Sequence, residues 1–141
     1  MVGPAAATAL KTGPPGLTLS WEMDDVYDLF QRGTALLEAG DFNSATVPLS
    51  RARDLAPDKT SIREALGRAY FRSAQYERAR EEFEAVVELA PTNDFALFCL
   101  GRSLMQLGRH KEARKPLTLA SQLRPERRDY RLYRERAAKA A

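Results

Sequence analysis

The chain has 141 residues, 44% of them hydrophobic and 29% charged, with a net charge of only +3. That is one ordinary folded domain, not a disordered polyelectrolyte, and no apolar run approaches the roughly 18 residues a bilayer span needs. The single cysteine, Cys99, excludes an internal disulfide, and with one histidine, His110, there are too few soft ligands for a structural zinc site.

Charge is unevenly placed. Residues 1–58 carry a net −4, residues 59–108 are neutral, and residues 109–141 carry +7. Such polarity suits steering of an acidic partner to one end, head-to-tail self-association, or simply a solvated set of helix faces. Arginine outnumbers lysine 17 to 5 beside abundant alanine, a compositional pointer to a bacterial source. The lone thiol and the lack of a basic-then-apolar leader among the first ten residues point to a cytoplasmic protein.

In chain order, residues 1–20 hold Gly3, Pro4, Gly13, Pro14, Pro15 and Gly16 among alanines, which predicts a structureless tail. Leu17, Leu19 and Trp21 alternate at its end. They fit either an extended segment along a groove or a staple on the first helix. Helical patterning begins near Met23. From there one period dominates: Gly33, Gly67 and Gly101; Ala45, Ala79 and Ala113; Pro57, Pro91 and Pro125, each spaced by 34. A fixed period of this length predicts stacked copies of a single unit that cannot bury its apolar face alone.

Each unit reads as two helices. The turns between them are Ala39-Gly40-Asp41, Ser73-Ala74-Gln75 and Leu107-Gly108-Arg109, where glycine suits a left-handed residue at a helix end. Second helices stop before Pro57, Pro91 and Pro125, since proline lacks the amide and restricts the residue ahead of it. Ser61 with Glu64 offers a capping box for the next helix, and Thr92 or Asn93 a cap for the one after. Pro48 and Pro116 fall inside second helices and predict a small kink in each. Past Pro125, the stripe Tyr130, Tyr133 and Ala137 among six basic residues predicts a closing helix, apolar side inward.

These residues resemble the tetratricopeptide repeat family across residues 26–127. With units counted from Val26, Thr60 and Asp94, the family's small residue at position 8 is Gly33, Gly67 and Gly101, its alanine at position 20 is Ala45, Ala79 and Ala113, and its large apolar residue at position 24 is Leu49, Phe83 and Leu117. Position 27 holds Ala52, Val86 and Ala120, and position 32 the three prolines. Two positions depart from the pattern: Arg32 at position 7 and Arg63 at position 4, where long stems could cover apolar surface or heads could serve a ligand. The resemblance implies an all-α, right-handed solenoid of three helix-turn-helix repeats (26–59, 60–93, 94–127, within 21–125) and a closing helix over 126–141.

It also implies a groove. On the helical wheel, positions 2, 5, 9, 12 and 13 of each first helix lie opposite the partner-helix face, and in the family they line a concave surface that binds peptides. Here they include Tyr27, Phe30, Arg68, Phe71, Arg72, Phe95, Phe98, Arg102 and Met105. A face meeting only water is polar; this one mixes aromatics with arginine, the residue types of binding hot spots. Neighbouring first helices also touch, so internal packing is the competing assignment. Some family members grip the C-terminal carboxylate of chaperones through a basic clamp. Its positions are filled here by Phe30, Thr34, Ala65, Phe95 and Cys99, which argues against that mode.

No catalytic constellation is present. His110 falls at a turn without a partner, Cys99 sits between Phe98 and Leu100 as a structural thiol, and the run Glu81, Glu82, Glu84 reads as one exposed face. The glycines are spaced for helix contact and form no phosphate loop. The sequence therefore points to a non-catalytic protein–protein interaction scaffold, without cofactor or metal, binding a protein or peptide with apolar or aromatic anchors and acidic residues. The alternatives are a homo-oligomer, or less favourably an RNA- or DNA-binding accessory protein using the basic end. In that end, both tyrosines fall on the inward stripe, and Glu126, Asp129 and Glu135 interrupt the charge.

Overall fold

The computed structural model describes residues 15–140, with side chains from Asp25 onward. Seven helices are described: α1 (Pro15–Glu38), α2 (Phe42–Leu55), α3 (Thr60–Arg72), α4 (Tyr76–Leu89), α5 (Asp94–Gln106), α6 (His110–Leu123) and α7 (Arg128–Ala140). Each packs against the next, and α1 also touches α3 as α5 touches α7. The result is an all-α stack of three helix pairs closed by α7. None of the described helices is long and apolar enough to cross a membrane.

Of the expected tail, residues 1–14 lie outside the described residues. Residues 15–20 form the first turns of α1, so Leu17–Trp21 is helical rather than extended. Proline at the first helical position explains the early start: its fixed φ suits the helix and its missing amide is one that would go unbonded there.

Both sides of each helix pair are shaped by one notch. A Cβ placed on Gly33 would lie 2.4 Å from Leu49 Cγ, one on Gly67 2.8 Å from Phe83 Cζ, and one on Gly101 2.4 Å from Leu117 Cγ. The large residue of each second helix thus rests on bare backbone of the first. Leu49 and Leu117 are fully buried and Phe83 nearly so, beside fully buried Ala45, Ala79 and Ala113. Close packing of this kind leaves no room for an added carbon.

Each turn uses the same termination. The amides of Asp41, Gln75 and Arg109 donate to Leu36, Tyr70 and Leu104 at 2.9, 2.8 and 2.9 Å, and those of Gly40, Ala74 and Gly108 to Leu37, Phe71 and Met105 at 3.0 Å. This paired bonding is the Schellman arrangement, which requires a left-handed residue. Gly40 (φ 82°) and Gly108 (φ 77°) adopt it freely, whereas Ala74 (φ 62°) adopts it against its Cβ. The left-handed well costs an L-residue about 1–2 kcal/mol, and glycine's extra chain entropy returns about half of that. Ala74→Gly is therefore expected to raise stability by about 0.5–1 kcal/mol, read as a higher urea midpoint with an unchanged slope.

Asn93 caps α5, its side-chain oxygen accepting from the Ala96 amide at 3.0 Å. The expected Ser61–Glu64 box does not form. The cap position of α3 is Lys59, without a side-chain bond, and the Glu64 carboxylate instead accepts from Asn93 Nδ2 at 2.5 Å. That contact ties two units together, which local sequence spacing does not reveal. Pro48 and Pro116 are buried within α2 and α6, and both helices run through them.

Glu82 corrects a second expectation. Glu81 and Glu84 are exposed, but Glu82 is 3% exposed. Its carboxylate accepts from Arg53 Nη1 and, at 3.0 Å, from Arg63 Nη1, while Arg63 Nε donates to the Pro57 carbonyl at 2.7 Å. The departure at Arg63 is thus one arm of an ion triad joining α2, α3 and α4.

The closing helix keeps the period. α7 begins 34 residues after α5, as α5 does after α3, so it occupies the place of a fourth first helix. Tyr130 and Ala137 are fully buried against the third unit, and the Tyr130 hydroxyl donates to Asp94 Oδ2 at 2.7 Å. The face on which the earlier units seat a second helix carries Arg131, Arg134 and Glu135 here, none of them buried, which ends the apolar stacking.

Candidate functional site

The inner face carries a cavity of about 190 Å³ between α3 and α5. Its position follows from helix spacing, since α3 and α5 approach each other less closely than α1 and α3 do. Aromatic walls come from Phe71 on α3 and from Phe95 and Phe98 on α5, with Leu37, Phe42, Phe83 and Cys99 completing the lining. Arg68, Arg72 and Arg102 reach the rim. Arg72 lies 4.3 Å over the Phe42 ring, and Arg102 lies 4.8 Å over Phe71 and 5.7 Å over Phe98. Stacking fixes a guanidinium by its faces and leaves its N–H edge free to donate. Arg80, Arg109 and Arg127 meet carboxylates at 2.6–2.9 Å. Among the described residues, Arg68, Arg72 and Arg102 make no such pair.

Six of the nine residues expected on this face therefore converge on one cavity: Arg68, Phe71, Arg72, Phe95, Phe98 and Arg102. The other three do not. Tyr27 is exposed, its hydroxyl accepting from Gln31 Nε2 at 2.7 Å. Phe30 and Met105 pack against the hydrophobic core. Phe98 is only 6% exposed, and its ring meets Tyr130 at 4.5 Å and Tyr133 at 5.4 Å. It is as much a core residue as a cavity wall, because α7 covers the side that the wheel left open. Phe42 escaped the wheel altogether, since it lies on a second helix. Its signal was an aromatic directly after the Gly40 turn.

Little in the cavity can do chemistry. Burial pushes the Cys99 thiol up to about 12, so it stays protonated at neutral pH and is a poor nucleophile. His110 opens α6 half-buried, and its Nδ1 has no hydrogen-bond partner among the described residues. It lies on α6, whereas the rim arginines lie on α3 and α5, and it is not among the residues lining the cavity. The described residues contain no group of three or more His, Cys, Asp or Glu able to hold a metal ion.

Paired helices on a 34-residue period, notched at position 8 and hollow on the inner side, define a helical-repeat solenoid. The chain belongs to the tetratricopeptide repeat family, whose model matches residues 30–94 and 64–126. The human (Homo sapiens) zinc finger CCCH domain-containing protein 7B is 33% identical over 100 residues, which is 62% of this chain and 10% of that protein. The chain thus corresponds to a small part of that relative's length. Among solved structures, MamA (AMB-1) is 25% identical with a TM-score of 0.74, covering 94% of this chain and 82% of its own. The first repeat domain of Spaghetti (RPAP3), bound to an HSP90 peptide, is 19% identical with a TM-score of 0.77, covering 83% and 93%. The last likeness is one of fold.

Proposed function

We propose that the protein is a non-catalytic scaffold holding a segment of a partner protein on its inner face. An apolar or aromatic anchor of the partner enters the cavity between α3 and α5, and carboxylates beside it pair with Arg68, Arg72 and Arg102. The observation that carries this reading is the cavity itself: rings on its walls, guanidiniums on its rim, and no carboxylate paired with them among the described residues. Its volume of about 190 Å³ suits one large side chain; sites for whole small molecules run to about 300–1,000 Å³. The related fold in Spaghetti holds a peptide. Here the places of the basic clamp are taken by Phe30, Thr34, Ala65, Phe95 and Cys99, so recognition rests on an internal side chain of the partner rather than on a terminal carboxylate.

The test is fluorescence anisotropy with a labelled peptide bearing one phenylalanine between glutamates, against the same peptide with serine in its place. Phe95→Ala and Arg68→Ala are the informative variants, because neither residue is buried. Phe98→Ala would also loosen the core. Each informative variant is expected to weaken binding by about 1–2 kcal/mol, roughly 5- to 30-fold, with unchanged helicity. Equal binding of the two peptides, or wild-type affinity in both variants, would remove the cavity from the mechanism.

A further inference from the structure

The inner face does not stop at α5. Arg68 and Arg102 occupy the same register position on α3 and α5, and the next residue at that position is Arg136 on α7. The structure links Arg102 and Arg136 through rings, and Arg68 lines the cavity beside Phe71 and Arg102. Arg102 lies 4.8 Å over Phe71 and 4.8 Å over Tyr133, and Arg136 lies 4.9 Å over the same Tyr133 ring. Phe71, Arg102, Tyr133 and Arg136 therefore form one chain of contacts across α3, α5 and α7. Leu132, one residue before Tyr133, stands 45% exposed beside it. The closing helix, read from sequence as a solvated cap, extends the inner face.

Among the described residues no carboxylate pairs with Arg68, Arg102 or Arg136, and the half-buried Glu64 of this face is taken up by Asn93. Arg102 and Arg136, held by aromatic faces with their N–H edges free, and Arg68 at the same register position are like charges prepared for an anion they do not yet have. The spacing selects its form. Two guanidiniums sharing one ring stand within about 10 Å of each other, close to the 8–10 Å separation of packed helices. An extended left-handed chain with three residues per turn and a 3.1 Å rise presents every third side chain on one side at about 9.3 Å. A β-strand presents same-side residues at about 6.8 Å. An α-helix matches only at every seventh residue, so three contacts would need about four turns of partner helix. A nucleic-acid strand is a poorer match. Its charges are denser, about one per 3.4 Å of axis for each strand, and the rings that bases would stack on are already covered by guanidinium.

We infer that the protein binds an acidic partner segment in extended left-handed conformation, its carboxylates at every third residue pairing with Arg68, Arg102 and Arg136. This rests on the reading of the inner face as a partner-binding groove, and adds the chemistry and register of what lies beyond the anchor.

Three labelled peptides and one oligonucleotide separate the two claims: a short anchor peptide of one phenylalanine between glutamates; the same anchor followed by three Pro-Ala-Glu triplets; an isomer of that peptide with the added glutamates gathered together; and oligouridylate. The triplet peptide is expected to bind about tenfold more tightly than the short anchor and than its isomer. Arg136→Ala, an exposed change whose far-UV circular dichroism is expected to match wild type, should remove most of that gain and leave the short anchor unaffected. The proposal is overturned if the isomer binds as well as the triplet peptide, or if Arg136→Ala leaves the triplet peptide's affinity intact. It is equally overturned if oligouridylate binds more tightly than the triplet peptide, with steep salt dependence lost in Arg136→Ala. Absence of short-anchor binding, with the triplet peptide still bound through Arg136, would count against the cavity while supporting the ladder.

Discussion

Gly67→Leu is expected to abolish the cooperative unfolding transition of the stack. A Cβ at this site would meet three atoms of the Phe83 ring at 2.8, 2.9 and 3.0 Å. Phe83 is 1% exposed and joined to the main hydrophobic cluster, so the ring has nowhere to withdraw. Overpacking by one methyl already costs about 1–3 kcal/mol. A leucine adds three more carbons in the same direction, and a domain of this size has only about 5–15 kcal/mol in total. Because Gly67 lies in the middle unit, forcing α3 from α4 also breaks the stacking on both sides. Urea titration followed by circular dichroism at 222 nm would show either a lost transition or one displaced far toward zero denaturant. A midpoint close to wild type would mean that the notch is not what sets the distance between helices.

Glu82→Ala is expected to cost about 2–4 kcal/mol. Breaking a fully buried ion pair by removing one partner costs about 3–5 kcal/mol, because it leaves an uncompensated charge inside. Here the Glu82 side chain is 4% exposed, but those of Arg53 and Arg63 are 25% and 19% exposed, so the orphaned guanidiniums keep some water and the loss is smaller. Since Arg53 belongs to the first helix pair and Glu82 to the second, the loss should appear as weaker coupling between units. Hydrogen exchange would then show α1 and α2 opening before the rest. Replacing all three charges by apolar residues of similar volume should recover much of the stability, as ion clusters of this kind seldom outperform good packing. A Glu82→Ala variant within about 0.5 kcal/mol of wild type would place the triad with ordinary surface pairs.

These two sites differ in how far the sequence announced them. Gly67 was legible because its role repeats: glycine at one position and a large apolar residue 16 later recur three times, and the notch is a contact within one unit. Glu82 was not, because it sits in an acidic run and its partners lie 29 and 19 residues earlier, on two other helices. The groove falls between these extremes. The wheel put Arg68, Phe71, Arg72, Phe95, Phe98 and Arg102 on one face, and all six line the same cavity. It could not separate Phe98, sealed by α7, from Phe95, left open, because burial depends on what a neighbouring helix covers. Arg136 carried a usable signal in its 34-residue offset from Arg102, masked by the surrounding run of basic residues.

The sequence by itself determined the all-helical repeat, its period, the positions of its turns and the small-residue contacts that hold each pair. These follow from local geometry copied three times, where chance agreement is excluded by repetition. Tertiary structure alone decided that Glu82 is interior, that the cavity opens between α3 and α5, and that α7 prolongs the inner face through Tyr133 and Arg136. Each of those depends on the distance and angle between units, which are set by side chains packing across the stack rather than along the chain.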